Sequence, residues 1–236
     1  MPYRKEQLES GEIYHITIRR VGDALLFKDI DDYYRGIFSI YEFNTSAYVT
    51  IRERRRIRTQ IKKSIQDNST PSVVIDSRDK LVEVLAFCLM PNHIHLLVKQ
   101  LKDGGISKFM QKFGVGYSSY FREKHQLKRR EHFFDGVFSA VHIENDEQLK
   151  TVFVYIHTNP IALIEPGWKE KGIVNTQEAI NFIEGYKWSS YQDYIGKKNF
   201  FYVTERKFLS EVMGGEKGCK DFVDNWIEYK NEMSKF

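Results

Sequence analysis

Cysteine is nearly absent from this chain: two occur in 236 residues. Cys88 and Cys219 stand too far apart for the paired spacing of a thiolate metal site, and they make no disulfide framework. A reducing, cytoplasmic setting is the expectation. No apolar run is long enough to span a bilayer, and the opening MPYRKEQLES has no apolar signal region, so no membrane partner is expected. Internal repeats and low-complexity segments are missing, and so is a large net charge, which is only +4. What is present is a hydrophobic fraction of 42%, enough for a core, and many aromatics, with 17 Phe and 14 Tyr. The length fits one large domain, or one domain with an appendage.

The modest charge is unevenly spread. IRERRRIRTQIKK, from Ile51 to Lys63, holds seven basic residues against one Glu, and Lys128, Arg129 and Arg130 follow as a second cluster. Clustering, more than total charge, marks a phosphate footprint, which makes Arg52, Arg54, Arg55, Arg56, Arg58, Lys62 and Lys63 candidates for nucleic-acid contact together with the KRR run. The competing reading is a solvated helix face.

Periodicity gives the outline. GEIYHITIRR alternates and is rich in β-branched residues, the mark of a first strand. DIDDYYRGIFSIYEF places Tyr33, Ile37, Phe38 and Tyr41 at helical spacing after an acidic start. Residues 44–78, with the basic stretch and the turn-forming QDNSTPS, read as an insertion. LVEVLAFCLMPNHIHLLVKQ reads as a hairpin of strands 82–89 and 93–99 joined through MPN. A helix follows, with Ile106, Phe109, Met110, Phe113, Tyr117, Tyr120 and Phe121 as its stripe. FDGVFSAVHI then reads as a strand, and Asn145 caps a further helix with Gln148 three residues on. This order implies an α+β fold: an antiparallel sheet with helices packed on it. From about residue 165 a mainly helical extension begins.

One stretch is chemically unusual. His93 and His95 sit one residue apart in an apolar strand, where imidazole nitrogens must find partners or suffer desolvation. Alternation puts both rings on one face while Ile94, Leu96 and Val98 enter the core. Two such rings can be ordinary hydrogen-bonded core histidines, or they can share an ion. In the helix after Asn145, Leu149, Val152, Phe153 and Ile156 form the core stripe, and Tyr155 and Asn159 fall together on one flank. One turn apart on that flank, they could overhang the histidines, with Pro160 ending or bending the helix nearby.

LMPNHIHLLV, YIHTNP and WSSYQDYIG, with YHITIRR and GISKFMQKFGVGYSSYF, resemble the single-tyrosine HUH transposases, and within them the REP-associated tyrosine transposases. The likeness covers about residues 10 to 196. It implies a ferredoxin-like palm over residues 1–165, with the C-terminal segment 166–236 packed on or beside it. It also implies an activity: cleavage and rejoining of single-stranded DNA next to a hairpin, through a 5′-phosphotyrosine. Carried over by position, Tyr155 is the nucleophile and His93, His95 and Asn159 hold a divalent ion. Mixed nitrogen and oxygen ligation suits Mg²⁺ or Mn²⁺. The implied protein is prokaryotic and nucleoid-associated, and acts as a monomer or homodimer. One departure stands out: many relatives carry Arg and Lys where this chain has Val137 and Ser139, which implies weaker DNA binding without touching the ligands. The alternative is a non-catalytic hairpin-binding protein that keeps the fold. A histidine-triad hydrolase is disfavoured, because a third alternating histidine would fall at Leu97.

Overall fold

The computed structural model describes residues 7–22, 24–54, 56, 59, 78–127 and 132–233. Its centre is a four-stranded sheet of β1 (Ile13–Arg19), β2 (Val82–Met90), β3 (His93–Gln100) and β4 (Ser139–His142), in the order β2-β3-β1-β4. Every pairing is antiparallel. With α1 (Ile30–Glu42) between β1 and β2, and α2 (Gly105–Lys124) between β3 and β4, the chain runs βαββαβ, the ferredoxin-like arrangement. This is the fold class expected from the sequence.

Both faces of the sheet are covered, which explains why β2 is buried almost throughout. On one face, Tyr14, Ile16, Ile18, Ile94, Leu96 and Val98 pack against Ile37 and Ile40 of α1 and the stripe of α2. The stripe of α1 differs from expectation: Asp32, Gly36, Ile37 and Ile40 face inward, while Phe38 and Tyr41 are only half-buried. Gly36 is needed there, since a Cβ would meet the Phe27 ring at 2.8 Å. The buried Asp32 is satisfied by four donors: Lys28 N–H, Tyr120 Oη, Lys124 Nζ and His125.

The opposite face receives α3 (Asp146–Thr158), whose Phe153 and Ile156 share a second core with Leu85, Ala86, Cys88 and Leu97 of the sheet. Asn145 caps α3 by accepting from Gln148 N–H at 2.9 Å, and Gln148 Oε1 accepts in turn from Glu144 N–H. A 3₁₀ turn, Asn159–Leu163, follows at Pro160. The remaining chain forms α4 (Trp168–Lys171), α5 (Thr176–Gly185), α6 (Tyr191–Tyr194), α7 (Lys207–Met213) and α8 (Gly215–Met233). Their buried residues, among them Trp168, Ile183, Leu209, Val223 and Ile227, join the same second core. The extension also covers the outer edge of β2: Leu89 N–H donates to Trp188 C=O, and Ser190 N–H to Phe87 C=O. Ser190 Oγ accepts from Phe87 N–H at 2.9 Å and lies 2.8 Å from His157 Nε2, tying α3 to β2. WSSY is therefore a structural clasp.

The basic insertion lies mostly outside the described residues, as do Arg55, Arg58, Lys62, Lys63, Lys128, Arg129 and Arg130. Residues 51–54 are helical. No helix among the described residues is long and apolar enough to cross a membrane.

His157 is wholly buried, and desolvation pushes its pKa down to about 3. An unfolded histidine titrates near ~6.5, so the unfolded state binds the extra proton first as pH falls. The stability tied to a neutral His157 is intact above that pH and is lost progressively toward pH 3. Urea unfolding between pH 6 and pH 4 should give a steeper loss for the wild type than for His157→Gln, by about 1.4 kcal/mol per pH unit.

A histidine face with a tyrosine over it

The β1–β3 register sets Thr17 opposite His95 and Arg19 opposite His93, so His15, Thr17, Arg19, His93 and His95 share one face. His93 and His95 are edge-to-face neighbours with ring centroids 4.8 Å apart. His93 Nδ1 lies 2.6 Å from Asn92 Oδ1. A carbonyl oxygen only accepts, so Nδ1 carries the proton and the Nε2 lone pair is left open. His95 Nδ1 lies 3.0 Å from His15 Nε2 and 3.3 Å from Thr17 Oγ1. His95 Nε2 is buried without a hydrogen-bond partner. A buried nitrogen without a partner is costly, and beside the free Nε2 of His93 it is chemically able to ligate an ion.

Burial holds these imidazoles neutral. The pKa values of His15 and His93 are pushed down to about 4, chiefly by desolvation, with the charges of Arg19 and Lys169 adding to the effect on His93. His95 is held well below the ordinary imidazole range, first by burial, then by the neighbouring His93 and His15, and then by Lys169 and Arg19. Neutral imidazole is the ligating form.

Tyr155 projects from α3 over this face. Its ring meets His95 edge-on at 5.4 Å and His15 edge-on at 5.7 Å between centroids. Asn159, buried at the end of α3, donates from Nδ2 to Tyr155 C=O at 2.7 Å, which turns Oδ1 outward. Lys169 Nζ lies 3.2 Å from Tyr155 Oη and 3.1 Å from Asn159 Oδ1. The structure therefore brings His93, His95 and Tyr155 together, with Asn159 joined to Tyr155 through Lys169.

Other sequence candidates lie elsewhere. Arg54 pairs with Glu42 at the end of α1, on the far side of the sheet, and Arg52 and Arg56 are exposed near it. Tyr117 is buried in the first core and donates to Leu26 C=O, with its pKa held well above the ordinary phenol range by burial; it is a packing residue. A second donor group, Asp29, Asp32 and His125, has ligand atoms within 4.8 Å of one another and could hold an ion. Lys124 already occupies it, 2.5 Å from Asp29 Oδ1 and 3.0 Å from Asp32 Oδ1.

A family profile described as "Transposase IS200 like" matches residues 42–159, half of the chain, running from the end of α1 to Asn159. The chain belongs to the IS200-like transposase family. Among solved structures it is similar to a REP-associated tyrosine transposase bound to a REP hairpin, at 15% identity and TM-score 0.43, over 85% of this chain and 89% of that one. It is also similar to a bacterial tRNA(His) guanylyltransferase (Thg1)-like protein in complex with ATP, at 11% identity and TM-score 0.32, over 83% and 80% of the two chains. No curated protein matches it.

Three residues of this candidate site carry no assignment from the sequence. His15 has no local signal, because nothing short of the strand register shows that it meets His95. Asn92 reads from the MPN turn only as a turn residue, although its position just before His93 is a local signal. Lys169 sits beyond the family-matched segment and is placed by tertiary packing alone. If Asn92 and His15 orient the two imidazoles, Asn92→Ala and His15→Ala should each weaken Mn²⁺ binding about 10–100-fold in an electron paramagnetic resonance titration, with the fold retained by circular dichroism.

Proposed function

We propose that this transposase is a metal-dependent enzyme of the REP-associated branch that cleaves and rejoins single-stranded DNA beside a hairpin through a tyrosine nucleophile. The observation that carries the reading is the orphaned Nε2 of His95, aimed into a face where His93 is fixed with its own Nε2 lone pair free and Tyr155 stands close by. Such a donor set fits a divalent ion held by His93 Nε2, His95 Nε2 and Asn159 Oδ1. Mg²⁺ or Mn²⁺ bound there would supply Lewis-acid polarisation and orientation of the scissile phosphate.

The protein groups carry the steps. Arg19 and Lys169 make the face electropositive, which favours a phosphodiester entering it. Tyr155 Oη attacks phosphorus; the new bond joins the tyrosine oxygen to phosphorus and the bond to the 3′-oxygen breaks. The phenol gives up its proton, and the departing oxygen takes one up as a free 3′-hydroxyl. Attack by a second 3′-hydroxyl on the phosphotyrosine reverses these events and reseals a strand, with no external energy source. The sheet fixes the histidines, while α3 fixes Tyr155 and Asn159 one turn apart. The attacking oxygen is thus held within a small volume before substrate arrives.

The unit that performs this chemistry runs through Asn159 and is completed by the start of the extension, with residues 166–233 covering α3 and the edge of β2. DNA contacts from the basic stretch 51–63 and from 128–130, the hairpin partner and a nucleoid setting belong to the same proposal.

A hairpin oligonucleotide with a single-stranded flank, incubated with Mn²⁺ and resolved on a denaturing gel, tests it. The wild type should give a covalent adduct; Tyr155→Phe should give none while still binding the hairpin, and His95→Ala should lose both adduct and Mn²⁺ affinity. Tight hairpin binding by the wild type without an adduct under Mn²⁺ or Mg²⁺ would instead mark a non-catalytic binding protein.

A further inference from the structure

Lys169 lies ten residues past the family-matched segment and is held in place from behind. Its neighbour Trp168 is 2% exposed in the second core and meets Trp226 of α8 edge-on, with ring centroids 5.2 Å apart. The short α4 therefore has a fixed backbone, and the lysine projects from it across the end of α3. Its ammonium lies 4.5 Å from the centroid of the Tyr155 ring, besides donating to Tyr155 Oη and Asn159 Oδ1. Both acceptors are uncharged oxygens. An ammonium placed on the Tyr155 hydroxyl and on the Asn159 amide oxygen is a tethered cation at the point where, on the strand-cleaving reading, negative charge develops.

We propose that Lys169 is a catalytic residue of strand cleavage and joining, supplied by the C-terminal extension. The assignment rests on the strand-cleaving reading above. In cleavage it orients the Tyr155 hydroxyl toward phosphorus. In joining, the bond between phosphorus and the tyrosine oxygen breaks and its electron pair stays on that oxygen, and Lys169 then forms a charge-assisted hydrogen bond to it. Such bonds are roughly twice as strong as neutral ones, so the lysine acts most strongly when charge is on the oxygen. Its charge has a second consequence. Lys169 Nζ lies 3.1 Å from Asn159 Oδ1, so a divalent ion held by that oxygen would be repelled by the ammonium, and the lysine would oppose the ion it works beside.

These two effects have opposite signs, and packing alone would not produce both. The test uses the full chain with K169M and K169R, a hairpin oligonucleotide, and Mn²⁺ as the metal. At saturating Mn²⁺ and DNA, K169M should form and resolve the adduct about 10²–10³-fold more slowly, and K169R should recover most of the rate. By paramagnetic resonance, K169M should bind Mn²⁺ more tightly than the wild type. Unchanged rates at saturating DNA with weaker hairpin binding would make Lys169 a plain phosphate contact and overturn the assignment. Weaker Mn²⁺ binding by K169M would overturn it as well. A wild type that binds Mn²⁺ and hairpin yet forms no adduct removes the strand-cleaving reading and this assignment with it. A wild-type adduct with K169M unaffected removes the lysine alone.

Discussion

The pairing of β1 with β3 is the constraint on which the rest of the molecule depends. In the observed register Ile18 faces Ile94 and Ile16 faces Leu96, so the apolar set of both strands enters the first core together. The same register puts Arg19 beside His93 and Thr17 beside His95, and leaves His15 within hydrogen-bond distance of His95. Because side chains alternate with period two, a slip of one residue would send β3's histidines into the apolar layer and Ile94 and Leu96 out of it. Burial of aliphatic side chains on one face thus enforces the position of the polar cluster on the other. The clustered histidines carry a cost of their own: His95 keeps a buried nitrogen with no hydrogen-bond partner, as His157 and Trp168 do in the second core, but here beside a second imidazole and a phenol ring.

The second face is closed by parts distant in sequence. α3 is fixed by Phe153 and Ile156 within the second core, and by the Ser190 hydroxyl, which links His157 to β2. α4 is fixed by Trp168 against Trp226. Tyr155 comes from the first of these and Lys169 from the second, and they meet over imidazoles supplied by the sheet. A cluster assembled from three packed elements keeps its geometry better than one carried on a loop. The family-matched residues 42–159 do not contain the whole cluster: β1, with His15 and Arg19, precedes them and Lys169 follows.

Much of this was legible in the sequence, for physical reasons that also mark where reading stops. The hairpin, the alternation at His93 and His95, the stripe of α2 and the Asn145 cap follow from periods of 2 and 3.6 and from one capping residue. The order of elements was enough to give the sheet class. Phe38 and Tyr41 were placed on the stripe of α1 because aromatics at helical spacing resemble core residues; the buried side holds Gly36 and Asp32 instead, since α1 approaches Phe27 closely and shelters a carboxylate with four donors. The FDGVFSAVHI strand is only four residues long and largely exposed, an edge strand with little apolar pattern to bound it. Tyr155 and Asn159 could be set on one flank by angular count alone. The approach of His15 and Lys169 depends on register and on a tryptophan anchor, and no local pattern encodes either.

The most direct measurement is anomalous diffraction from crystals grown or soaked with Mn²⁺. The account predicts a single strong peak bounded by His93 Nε2, His95 Nε2 and Asn159 Oδ1, with Tyr155 Oη facing it and Lys169 Nζ drawn away from Asn159. A peak between Asp29, Asp32 and His125, with the histidine face left empty, would contradict it.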